Sequence, residues 1–167
     1  MIKYGGIPTY GRGQKMIVMF CGHRRFSKEE KYEEAILSFL EEKVGNQTVE
    51  MYLGGYGNFD NFAYECCKKY KQEHPNVALV FITPYMTVEY QKNHLEQQKK
   101  RYDLIIYPEI EDKPIKFAIT YRNKWMVEKA DFVVCYIERD YGGAYQTYKY
   151  AKRKGKAIFN IAQKDIP

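Results

Sequence analysis

From Lys15 onward, the hydrophobic and polar positions of the chain follow two alternating patterns. Short runs of consecutive apolar residues, typical of strands that are covered on both faces, predict six strands at about residues 16–21, 48–53, 77–82, 103–107, 131–137 and 157–161. Between them, apolar residues recur every three or four positions and predict helices at about residues 27–44, 60–73, 85–101, 115–129 and 143–154. Ser27 is predicted to cap the first helix, with Glu30 at the capping-box position.

Strands that alternate with helices at this spacing favour right-handed β–α–β units and a mainly parallel sheet. The expected fold class is therefore α/β: a doubly wound, Rossmann-like three-layer sandwich around a sheet of about six strands. Residues 15–167 are expected to form this one domain. Residues 1–14 have no periodicity and contain four glycines, so they are predicted to be a flexible or arm-like leader.

The net charge of +6 and the pI of about 9.0 favour anionic partners. This balance does not separate a small phosphate ligand from a nucleic acid. The two densest basic clusters, Lys99-Lys100-Arg101 and Lys152-Arg153-Lys154, fall at predicted helix ends, where cations complement the helix dipole. The helix dipole therefore accounts for these basic clusters without a nucleic-acid partner.

The four cysteines form no C-x-x-C pair and the three histidines are dispersed. We interpret the cysteines as buried thiols of a reducing compartment, and we expect neither a disulfide framework nor a metal site. No apolar run approaches the length of a membrane-spanning helix, and the amino terminus lacks a signal-peptide core. These features predict a cytoplasmic protein without a membrane partner.

Sheets of this kind bind ligands outside the carboxyl ends of their strands, so the loops after each strand are the candidate sites. The first such loop contains Gly22, His23, Arg24 and Arg25. Glycine lets a ligand approach the backbone, a helix start offers unpaired N–H groups, and the arginines add fixed charge, which together suit phosphate. A plain tight turn with solvated arginines is the alternative.

The second loop contains Gly54, Gly55 and Gly57, followed by Asp60 and Glu65 on the next helix. Three glycines among four residues permit backbone conformations that other residues avoid. Asp60 is suited to a ribose hydroxyl and equally to capping the helix that it opens. The spacing differs from the dinucleotide-binding pattern G-x-G-x-x-G.

The loops after the third and fifth predicted strands complete the set. The third contains Pro84 beside Tyr85, an aromatic that is placed either to cover a base or to pack on the protein surface. Gly142 and Gly143 open the last helix, where their N–H groups face an anion, and Thr147 lies one turn further on. On the preceding helix, Arg122 and Asn123 reach the same crevice only if their side chains point toward that rim; a surface arginine is the alternative.

Taken together, these motifs resemble the SLOG superfamily, the Rossmann-like group that includes Smf/DprA-type and Lonely-Guy-type proteins, and most closely its YpsA-type branch. The resemblance extends from about Met16 to Ile161. Gly22-His23-Arg24 resembles the T-G-H-R motif of that branch, with Cys21 where threonine is usual. The pattern G-x-D-x-x-A-x-E is matched by Gly57, Asp60, Ala63 and Glu65, with one additional residue between the glycine and the aspartate. The pattern R-N-x-x-M-x-x-x-A-D is matched by Arg122, Asn123, Met126, Ala130 and Asp131. A later G-G is matched by Gly142-Gly143.

The resemblance implies that the chain binds a nucleotide or a nucleotide-derived signal as a sensor or regulatory domain, without a further cofactor. Arg24, Arg122 and the amides of Gly142-Gly143 would then hold phosphate, and Asp60 would hold ribose. A homo-oligomer is compatible with such a sheet.

Two other functions are implied by other members of the superfamily. Lonely-Guy-type members are nucleotide N-glycosidases or phosphoribohydrolases and carry P-G-G-x-G-T-x-x-E, in which the last residue is catalytic. Here Lys149 takes the glutamate position, and a lysine has the wrong charge to stabilise an oxocarbenium-like centre. DprA-type members imply a nucleic-acid binder, although the sequence shows no long basic groove with interleaved aromatic residues.

Overall fold

The secondary structure follows the predicted alternation of strands and helices. The protein is represented by a computed structural model, which describes residues 2–4 and 15–167. The strands are β1 Ile2–Tyr4, β2 Met16–Gly22, β3 Val49–Leu53, β4 Val77–Ile82, β5 Leu104–Tyr107, β6 Phe132–Tyr136 and β7 Ala157–Asn160. The α-helices are α1 Glu30–Lys43, α2 Asn58–Glu73, α3 Val88–Tyr90, α4 Glu96–Arg101, α5 Ala118–Lys129 and α6 Gly143–Arg153. A π-helical segment, Gln91–Leu95, joins α3 to α4, and a 3-10 turn, Ile115–Phe117, leads into α5.

The described strands form one sheet in the order β1-β5-β4-β3-β2-β6-β7. The six strands from β2 to β7 pair in parallel, which confirms the predicted Rossmann-like α/β class. The short strand β1 was not predicted; it pairs antiparallel with β5, with Ile2 opposite Tyr107. The rest of the predicted leader, residues 1 and 5–14, lies outside the described residues.

Both faces of the sheet are covered, which explains the uninterrupted apolar runs. Side chains alternate between the two faces of β2: Val18 and Phe20 pack with α1 and α2, whereas Met19 and Cys21 pack with α5 and α6. Every residue of β3 and β4 is buried. The four cysteines are free and buried, as the sequence predicted.

The amino-terminal end of α1 differs from the prediction. The helix begins at Glu30 rather than after Ser27, and its N-cap, Glu29, makes no side-chain capping bond. Residues before it are drawn into the core because Phe26 is buried, with its ring centroid 4.8 Å from that of Tyr136 and 5.4 Å from that of Phe59. Burial of this aromatic ring outweighs the local capping signal.

The strand order changes direction at β2. The chain builds β3, β4 and β5 on one side of β2, then crosses to build β6 and β7 on the other. In doubly wound sheets this arrangement opens a crevice between the loops that follow the two diverging strands. The loops after β2 and β6 therefore border the expected ligand position. Among the described residues, no helix is both long and apolar enough to cross a membrane.

Candidate functional site

A cavity of about 350 Å³ lies at the carboxyl ends of the strands, where the loops after β2, β3 and β6 meet α5. It brings together residues from the three glycine-bearing loops that follow β2, β3 and β6. The predicted site residues that line it are Gly22, His23, Arg24, Gly54, Asp60, Arg122, Asn123, Gly142 and Gly143. Tyr56, Ile119, Arg139 and Ala144 also line it, although the sequence analysis did not single them out.

The other predicted site residues lie outside this lining. Arg25 is exposed and Glu65 borders a separate groove with Phe26 and Phe62. Pro84 and Tyr85 line another cavity, so the aromatic proposed to cover a base does not face this one. Thr147 lies in the neighbouring groove, where its hydroxyl accepts a hydrogen bond from Nδ2 of Asn123 at 3.3 Å.

Gly55 and Gly57 lie in the loop after β3, outside the cavity lining. Both have positive φ angles, of 71° and 90°. A Cβ atom at Gly55 would lie 2.7 Å from the Phe81 ring, and one at Gly57 would lie 2.9 Å from Cα of Arg24. The loop after β3 thus packs directly on the loop after β2, and glycine is required for that approach.

Arg122 is 2% exposed and points toward the rim, so the surface alternative is wrong for this residue. Its Nη1 donates to the carbonyl oxygens of Gly54 at 2.9 Å and Ile82 at 2.5 Å, and its Nε donates to Oδ1 of Asn123 at 2.8 Å. The guanidinium therefore ties together the ends of β3 and β4. Burial lowers its pKa, and the Asp60 carboxylate partly offsets that effect.

Asp60 is buried in the first turn of α2 but is not the N-cap, because the helix begins after Gly57. Its Oδ2 accepts a hydrogen bond from the Tyr56 N–H at 2.8 Å. Burial raises the pKa of Asp60 to about 6, against the opposing effects of Arg122 and the Tyr56 N–H. A Cβ atom at Gly54 would lie 3.0 Å from Nη2 of Arg122 and 3.1 Å from Oδ2 of Asp60, so this glycine allows both charged groups to reach the cavity.

His23 connects the loops after β2 and β6. The ring Nε2 of His23 accepts a hydrogen bond from the backbone N–H of Glu138 at 3.1 Å. The backbone N–H of His23 donates to the Tyr136 carbonyl at 3.3 Å. An Nε2 that accepts cannot carry a proton, so the neutral ring has its proton on Nδ1. Burial, followed by the nearby Arg139 charge, lowers the pKa of His23, whereas Glu138 opposes this shift.

The amino terminus of α6 is open toward the cavity. Gly142 and Gly143 are exposed, and a Cβ atom at either would meet nothing within 4 Å. The first N–H groups of a helix have no partner within the helix, and the helix dipole makes this end positive. Such an end attracts phosphate and other anions.

Beside Arg122, the positively charged side chains that line the cavity are Arg24 and Arg139. In the part of the chain that the structure describes, neither lies within 4 Å of a carboxylate. Among the described residues that line the cavity, Asp60 is the one acid. The sequence analysis missed Arg139 because it examined that loop only for its glycines; a cation between a strand and a helix-opening Gly-Gly pair was the available signal.

A second groove of about 400 Å³ adjoins the cavity between α5 and α6 and shares Asn123 and Gly143 with it. It is lined by Lys124, Lys149 and Arg153 and by no acidic residue. The position that is catalytic in Lonely-Guy-type enzymes, Lys149 here, therefore lies in this groove and outside the main cavity.

No family model and no curated protein sequence matches the chain. Solved structures do. DNA processing protein A from Helicobacter pylori, described for its single-stranded DNA binding mode, is 18% identical with a TM-score of 0.57, over 87% of this chain and 64% of that one. DNA processing protein A (DprA) from Streptococcus pneumoniae is 16% identical with a TM-score of 0.61, over 87% of this chain and 50% of that one.

At these identities the likeness shows the fold. Both neighbours are of the DprA type that the sequence resemblance named, and this chain spans less than two thirds of either. The shared part is the Rossmann-like domain that carries the cavity.

Proposed function

We propose that the cavity binds the phosphate of a nucleotide or nucleotide-derived ligand, and that the chain acts as a ligand sensor or regulatory domain of the SLOG superfamily, closest to its YpsA-type branch. One observation carries this proposal: Arg24, Arg139 and the open amino terminus of α6 line one cavity in which Asp60 is the one acid. Cations that lack a carboxylate partner beside a helix amino terminus are suited to an anion.

In the proposed arrangement, the phosphate lies between Arg24 and the amides of Gly142 and Gly143. Asp60 accepts a hydrogen bond from a ribose hydroxyl, since a carboxylate would repel a second phosphate. Arg122 adds positive charge but already donates to three protein oxygens, so its main role is to position the loop after β3. That role differs from the direct phosphate contact expected from sequence.

The test is calorimetric titration and thermal shift with nucleoside mono-, di- and triphosphates. Arg24→Gln removes a charge-assisted hydrogen bond of about 1.5–3 kcal/mol, so we expect roughly 10- to 100-fold weaker binding. Arg25→Gln is the matched control, because Arg25 is an exposed neighbour outside the cavity lining, and it should stay within about twofold. Absence of binding across the panel, or equal losses in both variants, would contradict the proposal.

We propose binding without hydrolysis. The nearest carboxylate to a ligand in this cavity, Asp60, is held by the Tyr56 N–H, and Lys149 lies in the adjoining groove. Chromatography after prolonged incubation with nucleoside monophosphates should show intact substrate. A free base among the products would establish the phosphoribohydrolase alternative instead.

A nucleic-acid binder is the second candidate, favoured by the groove between α5 and α6. Lys124, Lys149 and Arg153 line it, none of them within 4 Å of a carboxylate of the described residues, and the half-buried Tyr150 lies among them. The Helicobacter pylori neighbour is described for binding single-stranded DNA. A single strand that crosses from the cavity into this groove would pass Arg24 and Arg139 first and then Lys124, Lys149 and Arg153.

Fluorescence anisotropy with a labelled oligothymidylate at several salt concentrations tests this candidate. Lys149→Gln should reduce the slope of log affinity against log salt by about 0.7, the value for one phosphate contact on a single strand. Lys68→Gln, on exposed α2 surface outside the groove, should leave the slope unchanged. Absent or salt-independent binding would exclude the candidate.

A further inference from the structure

The loop between β6 and α6 presents Arg139 from a fixed backbone. The Ile137 N–H donates to Oδ1 of Asn160 at 3.0 Å, and Nδ2 of Asn160 donates back to the Ile137 carbonyl at 2.8 Å. The next N–H, that of Glu138, donates to His23 at 3.1 Å. Two neighbouring elements thus anchor the residues immediately before Arg139.

Among the described residues, Nε of Arg139 has no hydrogen-bond acceptor. This nitrogen has almost no exposed surface, although the residue as a whole is half-buried and lines the cavity. The adjacent Glu138 carboxylate lies more than 4 Å from this guanidinium, and its Oε2 accepts a hydrogen bond from the Tyr136 hydroxyl at 2.9 Å. A buried N–H without an acceptor is destabilising. This arrangement indicates an acceptor that arrives with a ligand.

An exposed aromatic ring stands beside this guanidinium. Tyr141 is 63% exposed, and the centre of the Arg139 guanidinium lies 4.9 Å from its ring centroid. Large aromatic side chains exposed next to a cationic cavity are typical stacking surfaces for bases, which every base can use through its π face.

We propose that Arg139 and Tyr141 form a nucleotide clamp, in which Arg139 donates to the phosphate and Tyr141 stacks on the base of the same nucleotide. The ligand class is then a nucleoside monophosphate unit, and a phosphate without a base engages only half of the clamp. This inference rests on the proposed function and deepens it, since it assigns the group that recognises the base.

The experiment measures affinities for two probes, pyrophosphate and whichever of AMP, GMP, CMP and UMP binds the wild type best. Arg139→Gln should weaken both probes at least tenfold. Tyr141→Ala should weaken the mononucleotide at least fivefold and leave pyrophosphate within twofold, whereas Tyr141→Phe, which keeps the ring, should behave as the wild type. Arg25→Gln serves as the control for loss of a surface arginine.

The outcomes separate the two proposals. Weakening by Arg24→Gln but not by Arg139→Gln would overturn the clamp and leave the proposed function standing. Equal weakening of both probes by Tyr141→Ala would assign the ring a purely structural role and also overturn the clamp. A wild-type protein that binds neither probe would remove the proposed function itself.

Discussion

At the scale of single residues, the site depends most on Arg122, an arginine buried where a surface side chain was equally compatible with the sequence. Helical periodicity gives the face on which a residue lies but not the partner it meets. Its partners are carbonyl groups of Gly54 and Ile82, which precede it by 68 and 40 positions. No local pattern encodes contacts of that separation.

Arg122→Met should therefore lower the free energy of unfolding by about 3 kcal/mol, because it leaves two buried carbonyls and the Asp60 carboxylate without their cation. Urea denaturation measures the change. Arg153→Met, which removes an exposed arginine of similar size from α6, is the control and should change stability by less than about 0.5 kcal/mol. Equal stabilities of the two variants would show that the Arg122 hydrogen bonds contribute little.

Asp60 makes stability depend on pH in an unusual direction. Its folded pKa of about 6 lies above the ordinary value of 3.8, so the folded chain binds a proton that the unfolded chain does not between about pH 6 and pH 4. The contribution of this residue to stability should therefore increase by about 3 kcal/mol as the pH falls through that window. His23 acts oppositely, since its lowered pKa removes stability as the pH falls below 6.5.

Comparison with Asp60→Asn isolates the carboxylate from the other titrating groups. The difference in unfolding free energy, wild type minus variant, should rise from pH 7 to pH 4 and then level off. A flat difference would mean that the pKa of Asp60 is the same in the folded and unfolded chain, and a difference that falls with acidification would mean that folding lowers this pKa.

At the scale of elements, the helices α2 and α6 begin in the same way. Gly57, the N-cap of α2, has a φ of 90° and a ψ of 174°. Gly142, the N-cap of α6, has a φ of 94° and a ψ of 173°. This region of backbone conformation is essentially restricted to glycine. The sequence predicted both glycine-rich loops but placed the start of α2 at Asp60, since a good capping side chain gave a stronger local signal than a glycine.

Gly57→Ala should reduce stability by about 1–3 kcal/mol through backbone strain. It should also weaken anion binding roughly 10- to 100-fold, as Arg24→Gln does, because the new Cβ would displace Arg24. Gly155→Ala is the matched control: Gly155 has a φ of 69°, and a Cβ atom there meets nothing within 4 Å. It should lose about 1 kcal/mol of stability and retain full affinity. Unfolding curves and calorimetry on both variants check this, and full affinity in Gly57→Ala would show that Arg24 does not contact the ligand.

At the scale of the whole molecule, six parallel strands were predictable because both faces of the sheet are covered and each strand reads as an apolar run. The three-residue strand β1 is too short to give such a pattern. The strand order was not encoded in any local feature either, and it is the order that brings the loops after β2, β3 and β6 together. Arg139 and Tyr56 line the cavity because of this strand order.

The same topology makes a prediction about how a ligand acts on the fold. A bound nucleotide at 100 times its dissociation constant should stabilise the protein by about 2.7 kcal/mol through mass action. If one ligand contacts all three loops, amide hydrogen exchange should slow together at residues 22–24, 54–57 and 138–143, which are remote in sequence. Tyr85, Met86 and Ile110, which line a separate cavity, are the internal control, and their amides should keep their exchange rates. Protection confined to one loop would mean that the ligand binds that loop alone and that the cavity is not a single site.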